Sequence, residues 1–289
     1  MTALETIQKR HSVRTYDRRP VSEGIRNRLQ QLLQEHTTGP FGTPVRFRLL
    51  DLDSVSPLEF KRLGTYGMIR GAHLFIVGAV KDWQGSQVDL GYCLEKIILE
   101  ATAMGLGTCW LGGTFRRSHF ARWMQLAEDE LLPAITPVGH PAEKKSVSEA
   151  LVRTGARSSR RKPWSALFFT GDGKTPLTED EAGGYRNALE AVRLGPSASN
   201  LQPWRIIKDR DGCYRLYLEE NRAFNRGLGK IRLQHLDIGI AMSHFELVAR
   251  EQCIDGWWNP FAPPVYYAGL EHLALWETGE GEENGNKTG

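Results

Sequence analysis

Two stretches of this chain read as the same helix written twice. From Asp89 to Met104 the apolar residues Leu90, Cys93, Leu94, Ile97, Ile98 and Ala101 follow helical spacing, and Tyr92 and Leu99 add apolar surface on the other side. From Asp237 to Ala249 the pattern returns. At a constant offset of 148 residues, Asp89, Gly91, Leu99 and Ala101 fall on Asp237, Gly239, Leu247 and Ala249. Leu90, Cys93, Leu94 and Ile97 fall on Ile238, Ala241, Met242 and Phe245. A helix that is apolar nearly all round has to be buried. Two of them half a chain apart, each preceded by a helix and a strand, suggest a duplicated unit whose two helices pack together.

The other elements fit that plan. Leu4 to Arg10 reads as a short helix, and a second runs from an N-cap at Ser22 to Gln34. Val45 to Leu52 alternates apolar and basic residues as a strand does, and Leu74 to Val80 is an apolar run suited to a buried strand. In the second half, Glu179 to Leu194 is helical, and Trp204 to Leu218 is a hairpin turning at Asp211-Gly212. The boundaries expected are 1–152 for the first half, 153–277 for the second, and a disordered Gly- and Glu-rich tail at 278–289.

Composition closes off several function classes. The net charge of +3 is too small to argue for nucleic acid or a membrane surface. Cys93, Cys109, Cys213 and Cys253 form no C-x-x-C pair and have no histidine at zinc-finger spacing, which suits reduced thiols in the cytoplasm. No H-E-x-x-H pair occurs, so no metal is expected. Met1 to Arg10 lacks the apolar core of a secretory signal, and no apolar run is long enough to span a bilayer. Gly171-Asp172-Gly173-Lys174-Thr175 hints at a phosphate loop, but Phe168 stands where the first glycine would be. The basic run Arg153 to Lys162 beside Trp164 could be a nucleic-acid patch; its nearly neutral surroundings argue against that.

Three segments carry chemistry. Arg10-His11-Ser12-Val13-Arg14 puts two guanidinium forks and a hydroxyl within five residues, a phosphate cradle or else a solvated basic turn. Gly195 to Trp204, Gly-Pro-Ser-Ala-Ser-Asn-Leu-Gln-Pro-Trp, joins a helix to a strand. Its small residues would let backbone approach a flat ligand, unless it is an ordinary turn. Gly105 to Gly113, Gly-Leu-Gly-Thr-Cys-Trp-Leu-Gly-Gly, follows a helix and lacks the dinucleotide-fold spacing. It could set bare backbone N–H groups against a ring edge, or simply cap the helix.

Together these segments resemble the nitroreductase family. The matching motifs are Arg10 to Arg14, Gly105 to Gly113, Gly139-His140-Pro141-Ala142-Glu143, Arg161 before Pro163, and Pro196 to Trp204, and the resemblance covers most of residues 4–260. Family members are usually homodimers, with the Ser/Asn loop early in the chain and supplied by the partner subunit. Here the early loop, Gly39 to Pro44, has no asparagine, and the good loop lies in the second half. The chain therefore looks like the fused, pseudo-dimeric branch of the family.

The resemblance implies an α+β sandwich of mainly antiparallel sheet on long central helices, internally duplicated so that one chain mimics a dimer. It implies FMN as cofactor, NAD(P)H and a small electron acceptor such as a nitroaromatic, quinone or enone as partners, and a monomer. Arg10, Ser12 and Arg161 would hold the FMN phosphate, with His11 beside them. Arg14 would lie along the ribityl chain and the N1/O2 edge. Backbone N–H groups of Gly112 and Gly113 would face N5 and O4, with Leu111 beside them at the cofactor, and Pro196, Ser197, Ala198 and Asn200 would line the flavin from the other half. No catalytic side chain is implied, because hydride passes between cofactor and substrate. The alternative is a flavin-binding module that stores or senses FMN without turnover.

Overall fold

The computed structural model describes residues 1–56, 63–143, 160–209, 212–224 and 226–279. The segment 153–159 of the basic run, Asp211 of the hairpin turn and most of the expected tail lie outside these residues.

The first half runs α1 (Ala3–Lys9), α2 (Glu23–Glu35), β1 (Val45–Asp51), β2 (Leu74–Lys81), α3 (Ser86–Ala103), β3 (Gly107–Thr108), α4 (Arg117–Met124), β4 (Glu130–Leu131) and β5 (Ile135–Gly139). The second runs β6 (Phe168–Phe169), α5 (Glu179–Ala182), α6 (Arg186–Leu194), β7 (Trp204–Lys208), β8 (Tyr214–Leu218), α7 (Leu233–Glu251), β9 (Gly256–Asn259) and β10 (Glu271–Thr278). The first sheet has strand order β1-β2-β5-β3, with β4 also paired to β2. The second has order β6-β7-β8-β10-β9. Setting aside β4 and β6, the two orders are the same, with β7, β8, β10 and β9 taking the places of β1, β2, β5 and β3. All pairings are antiparallel except β6 on β7. Through β6, the chain from Phe168 onward joins the second sheet.

The 148-residue offset holds at the level of single contacts. Helices α3 and α7 pack on each other and are buried along nearly their whole length. They cross where glycine faces backbone. A Cβ on Gly91 would stand 2.2 Å from the Leu236 carbonyl oxygen, and one on Gly239 would stand 2.0 Å from that of Val88. The two contacts are equivalent under the 148-residue offset, which relates Gly91 to Gly239 and Val88 to Leu236. Both helices then end alike, with Gly105 at φ +79° and Cys253 at φ +58° in the left-handed region. Leu106 N–H donates to the Ala101 carbonyl and Ile254 N–H to that of Ala249, both at 2.9 Å. A left-handed residue after the last turn lets the next N–H reach back to an orphan carbonyl, and a strand then leaves for the far edge of the sheet.

Three expected boundaries move. Helix α3 begins at Ser86, because Gly85 at φ +79° forms its N-terminal boundary; Asp89 lies inside the helix and points at another loop. Helix α7 begins at Leu233 rather than Asp237. The helix expected over Glu179 to Leu194 is broken at Gly183, whose φ of +56° and ψ of −130° no helix tolerates.

Candidate functional site

The site is built where the first-half motifs meet the second-half loop. Val13 N–H donates to the Thr108 carbonyl at 2.8 Å, so the Arg10–Arg14 segment runs beside β3. Gly107 is required there, since a Cβ would lie 2.7 Å from the Val13 side chain. The motif then continues against Gly139 to Ala142: Asp17 N–H donates to the His140 carbonyl and Ala142 N–H to that of Thr15. Two loosely matching motifs are thus one hydrogen-bonded unit.

Arg10 is buried, yet its Nε has no hydrogen-bond partner, and neither do the buried Nε and Nη1 of Arg14. Leaving charged donors buried and unsatisfied is costly, so such atoms point to a missing anion or acceptor. Arg161 lies close by. Burial, and after it the charges of Arg10 and Arg193, push its guanidinium below the usual range. Its Nε and Nη2 donate to the Leu194 carbonyl at the end of α6, at 3.2 and 2.9 Å. Positive charges gathered this way fit a phosphate. Ser12 is half-buried in the same segment. His11 is exposed and turns its ring back to the Lys9 carbonyl at 3.1 Å, away from this group.

The glycine turn packs against the second half of the chain. Leu111 is buried and exchanges both backbone hydrogen bonds with Ile135, so its N–H is already used. Gly112 packs on Leu233 of α7, whose Cδ2 would lie 2.5 Å from a Cβ, and its carbonyl accepts from Arg117. Gly113 is exposed, with nothing within 4 Å of where a Cβ would stand.

The loop from Pro196 to Gln202 is held by Arg160, Arg161, Lys162 and Asp237. Ser199, Asn200 and Gln202 all have positive φ, +48°, +57° and +48°. Three left-handed non-glycine residues within four positions hold strain that needs compensation. Ser197 Oγ accepts from Gln202 N–H at 2.8 Å. The Gln202 side chain accepts from Lys162 N–H at 2.7 Å. Asn200 Nδ2 donates to the Arg160 carbonyl at 2.8 Å, and its Oδ1 accepts from Arg161 Nη1 at 3.3 Å. Its side chain therefore ties the loop to Arg161. Ala198 N–H donates to Asp237 Oδ1 at 2.9 Å. Asp237 is wholly buried with this one bond, its Oδ2 is unpartnered, and burial pushes its carboxyl up to about 8.

At the related position of the first half, Asp89 accepts from Phe41 N–H, Thr43 N–H and the Thr43 hydroxyl at 2.6–2.9 Å. That loop is tied down. Shifting Gly112-Gly113 by 148 residues gives Pro260-Phe261, and Phe261 sits edge-on to Phe41 with ring centroids 6.5 Å apart. From the sequence alone, Trp257 and Trp258, just after the second long helix, would be expected to fill a second flavin cavity. Trp258 is instead in the core, donating to the Met242 carbonyl, and Trp257 is half-exposed; the aromatic at the related turn is Phe261.

Sequence reading missed a buried carboxylate beside Arg10. Glu95 of α3 has no exposure. It accepts from Trp110 Nε1 at 2.7 Å, meets His244 Nε2 at 2.9 Å, and lies 3.9 Å from Arg10 Nε. Its signal was available, since a glutamate inside a helix that must be buried all round needs partners. The loop Gly171 to Thr175 is no phosphate loop. The Asp172 side chain already accepts from its Lys174 and Thr175 N–H groups. Among the described residues no helix is long and apolar enough to cross a membrane.

Residues 2–249 match the model of the putative TM nitroreductase family. The chain belongs to that family. A Thermotoga maritima protein of the same description has a solved structure that aligns over 96% of this chain and 93% of its own, with TM-score 0.60 and 21% identity. The fold is therefore nitroreductase-like along the whole length. The FMN-dependent nitroreductase of Clostridium difficile R20291 aligns over 50% of this chain and 92% of its own, with TM-score 0.39 and 20% identity. No curated protein matches the chain.

Proposed function

We propose that this nitroreductase-family chain is an FMN-dependent oxidoreductase that takes hydride from NAD(P)H and passes it to a small acceptor such as a nitroaromatic, quinone or enone. The observation that carries the reading is the set of unsatisfied buried guanidinium atoms of Arg10 and Arg14, with Arg161 of the second half close to Arg10. Arg10, Ser12 and Arg161 would hold the phosphate, and Arg14 the ribityl chain and pyrimidine edge. Gly112 and Gly113 would present bare backbone to the ring, while Pro196, Ser197, Ala198 and Asn200 form the opposing wall. When bound, FMN supplies hydride acceptance and donation at N5. The chain's own part is to fix the ring between the glycine turn and the strained loop, to set positive charge near the edge where reduction builds negative charge, and to hold water back. No side-chain acid or base has to act in the hydride step.

We further propose that the halves are copies of one unit and that the chain works as a monomer. The matching strand orders and the mutual Gly91–Gly239 contact support this reading. Each wall of the site then comes from a different copy, as it would from two subunits of a dimer.

Arg10→Ala and Arg161→Ala should each weaken FMN by about 1.5–3 kcal/mol, the worth of a charged hydrogen bond. Riboflavin, which has no phosphate, should be nearly indifferent. Equal losses for both flavins in fluorescence titration would place these arginines elsewhere. Stopped-flow mixing of the flavin-loaded protein with NADH or NADPH separates the enzyme from a storage module: bleaching of the flavin band within seconds supports the enzyme, and a flavin still oxidised after hours with both donors rules it out.

A further inference from the structure

The buried Glu95 presents a problem to any phosphate site at Arg10, because a carboxylate 3.9 Å away would compete for the same guanidinium. The structure answers it with His244 of α7. His244 Nε2 lies 2.9 Å from Glu95 Oε1, and Nδ1 lies 2.9 Å from the Ala191 carbonyl. Neither ring nitrogen faces a donor. Nδ1 must carry a proton to meet the carbonyl, and a second proton must lie in the Nε2–Oε1 hydrogen bond. Wherever that second proton sits, the Glu95–His244 pair is neutral as a unit. Trp110 Nε1–H satisfies the other carboxylate oxygen at 2.7 Å. The Arg10 contact is correspondingly loose, an ion pair without a hydrogen bond.

We propose that His244 is a positioning residue: it neutralises Glu95 across the junction of the two halves and so leaves the Arg10 guanidinium available to a phosphate. This rests on the FMN reading above. The same network reaches the other arginine. Ala191, which holds His244, lies one turn before Leu194 in α6, and the Leu194 carbonyl receives Arg161. Arg10 and Arg161 are therefore set by one chain of contacts through Glu95, His244 and α6.

An independent observation ties the network to this site and not to helix packing in general. Under the 148-residue offset the partners of Glu95 and His244 are Ser243 and Lys96. Ser243 Oγ is buried without a partner, and Lys96 turns to Tyr92 and Glu246. The carboxylate–imidazole pair therefore has no counterpart at the offset-related positions.

The test compares FMN with riboflavin by titration in wild type, His244→Leu, and the double variant His244→Leu/Glu95→Gln. With His244 gone, Arg10 is the cation left beside the Glu95 carboxylate, which draws the guanidinium onto itself. FMN affinity should fall about tenfold or more while riboflavin affinity stays within about twofold. Removing the charge with Glu95→Gln should restore FMN to within about threefold of wild type. A merely structural role predicts equal losses for both flavins and no rescue, and either result overturns the proposal, as does an unchanged FMN affinity in the single variant. If His244→Leu does not fold, His244→Gln serves. It can still donate to Glu95 but carries no charge, so the same FMN loss and the same rescue are expected. Wild-type protein that binds neither flavin would instead refute the FMN reading itself.

Discussion

Replacing Gly239 by alanine puts a methyl group where α7 touches the backbone of α3. The added carbon would lie 2.0 Å from the Val88 carbonyl oxygen, 2.5 Å from Tyr92 N and 2.9 Å from Gly91 C. Ordinary contact begins near 3.4 Å, so the worst shortfall is about 1.4 Å. All three atoms are backbone, and no rotamer change relieves them; the two helices must move apart. Overpacking of this kind costs roughly 3 kcal/mol, against about 1 kcal/mol returned because alanine suits a helix better than glycine. The net expectation is about 2 kcal/mol of lost stability, or a fall of roughly 3 °C in Tm for a chain of 289 residues. Gly24→Ala is the control. Gly24 lies in α2 with nothing within 4 Å of the added carbon, and it should gain up to about 1 kcal/mol. Urea unfolding of both variants gives the difference. If Gly239→Ala is as stable as Gly24→Ala, the close crossing of α3 and α7 is not what holds the halves together. Because the site spans that crossing, Gly239→Ala should also weaken FMN, and a destabilised variant with wild-type flavin affinity would separate the site from the helix contact.

Two further outcomes follow. Binding should saturate at one FMN per chain: the related turn carries Pro260-Phe261 in place of Gly112-Gly113, and the related loop is tied to Asp89 and has no asparagine. A ratio near two by flavin absorbance against amino-acid analysis would contradict this. Asp237 keeps its proton in the folded chain up to about pH 8, whereas an unfolded aspartate releases it near pH 4. Its contribution is therefore full below about pH 4 and is lost as pH rises toward 8, with an upper bound on the order of a few kcal/mol. Asp237→Asn should flatten the fall in urea midpoint between pH 5 and 8, and an unchanged slope would mean that Asp237 is not the group responsible.

Much of this protein is legible in its sequence because period and spacing are local properties. The apolar pattern of α3 and α7 marks both as buried, and their common offset points to a repeated unit before any coordinate is known. The Arg10–Arg14, Gly105–Gly113 and Pro196–Trp204 segments can be picked out for the same reason: each packs its chemistry into a few consecutive residues. The helix break at Gly183 was less visible, since a single glycine can also be tolerated within a helix. What only the tertiary structure decided are the pairings between distant residues. Glu95 is an ordinary glutamate until His244 arrives from 149 residues away, and Asn200 is a candidate ligand-facing side chain until its amide and oxygen are found on Arg160 and Arg161. The aromatic beside Phe41 is Phe261 and not the Trp257-Trp258 pair, because strand β9 turns Trp258 into the core and leaves the next loop to reach the related turn. A sequence states which groups are charged or apolar; only packing states which of them share a proton, a carbonyl or a clash, because those energies depend on separations of a few ångströms between residues the chain brings together from opposite ends.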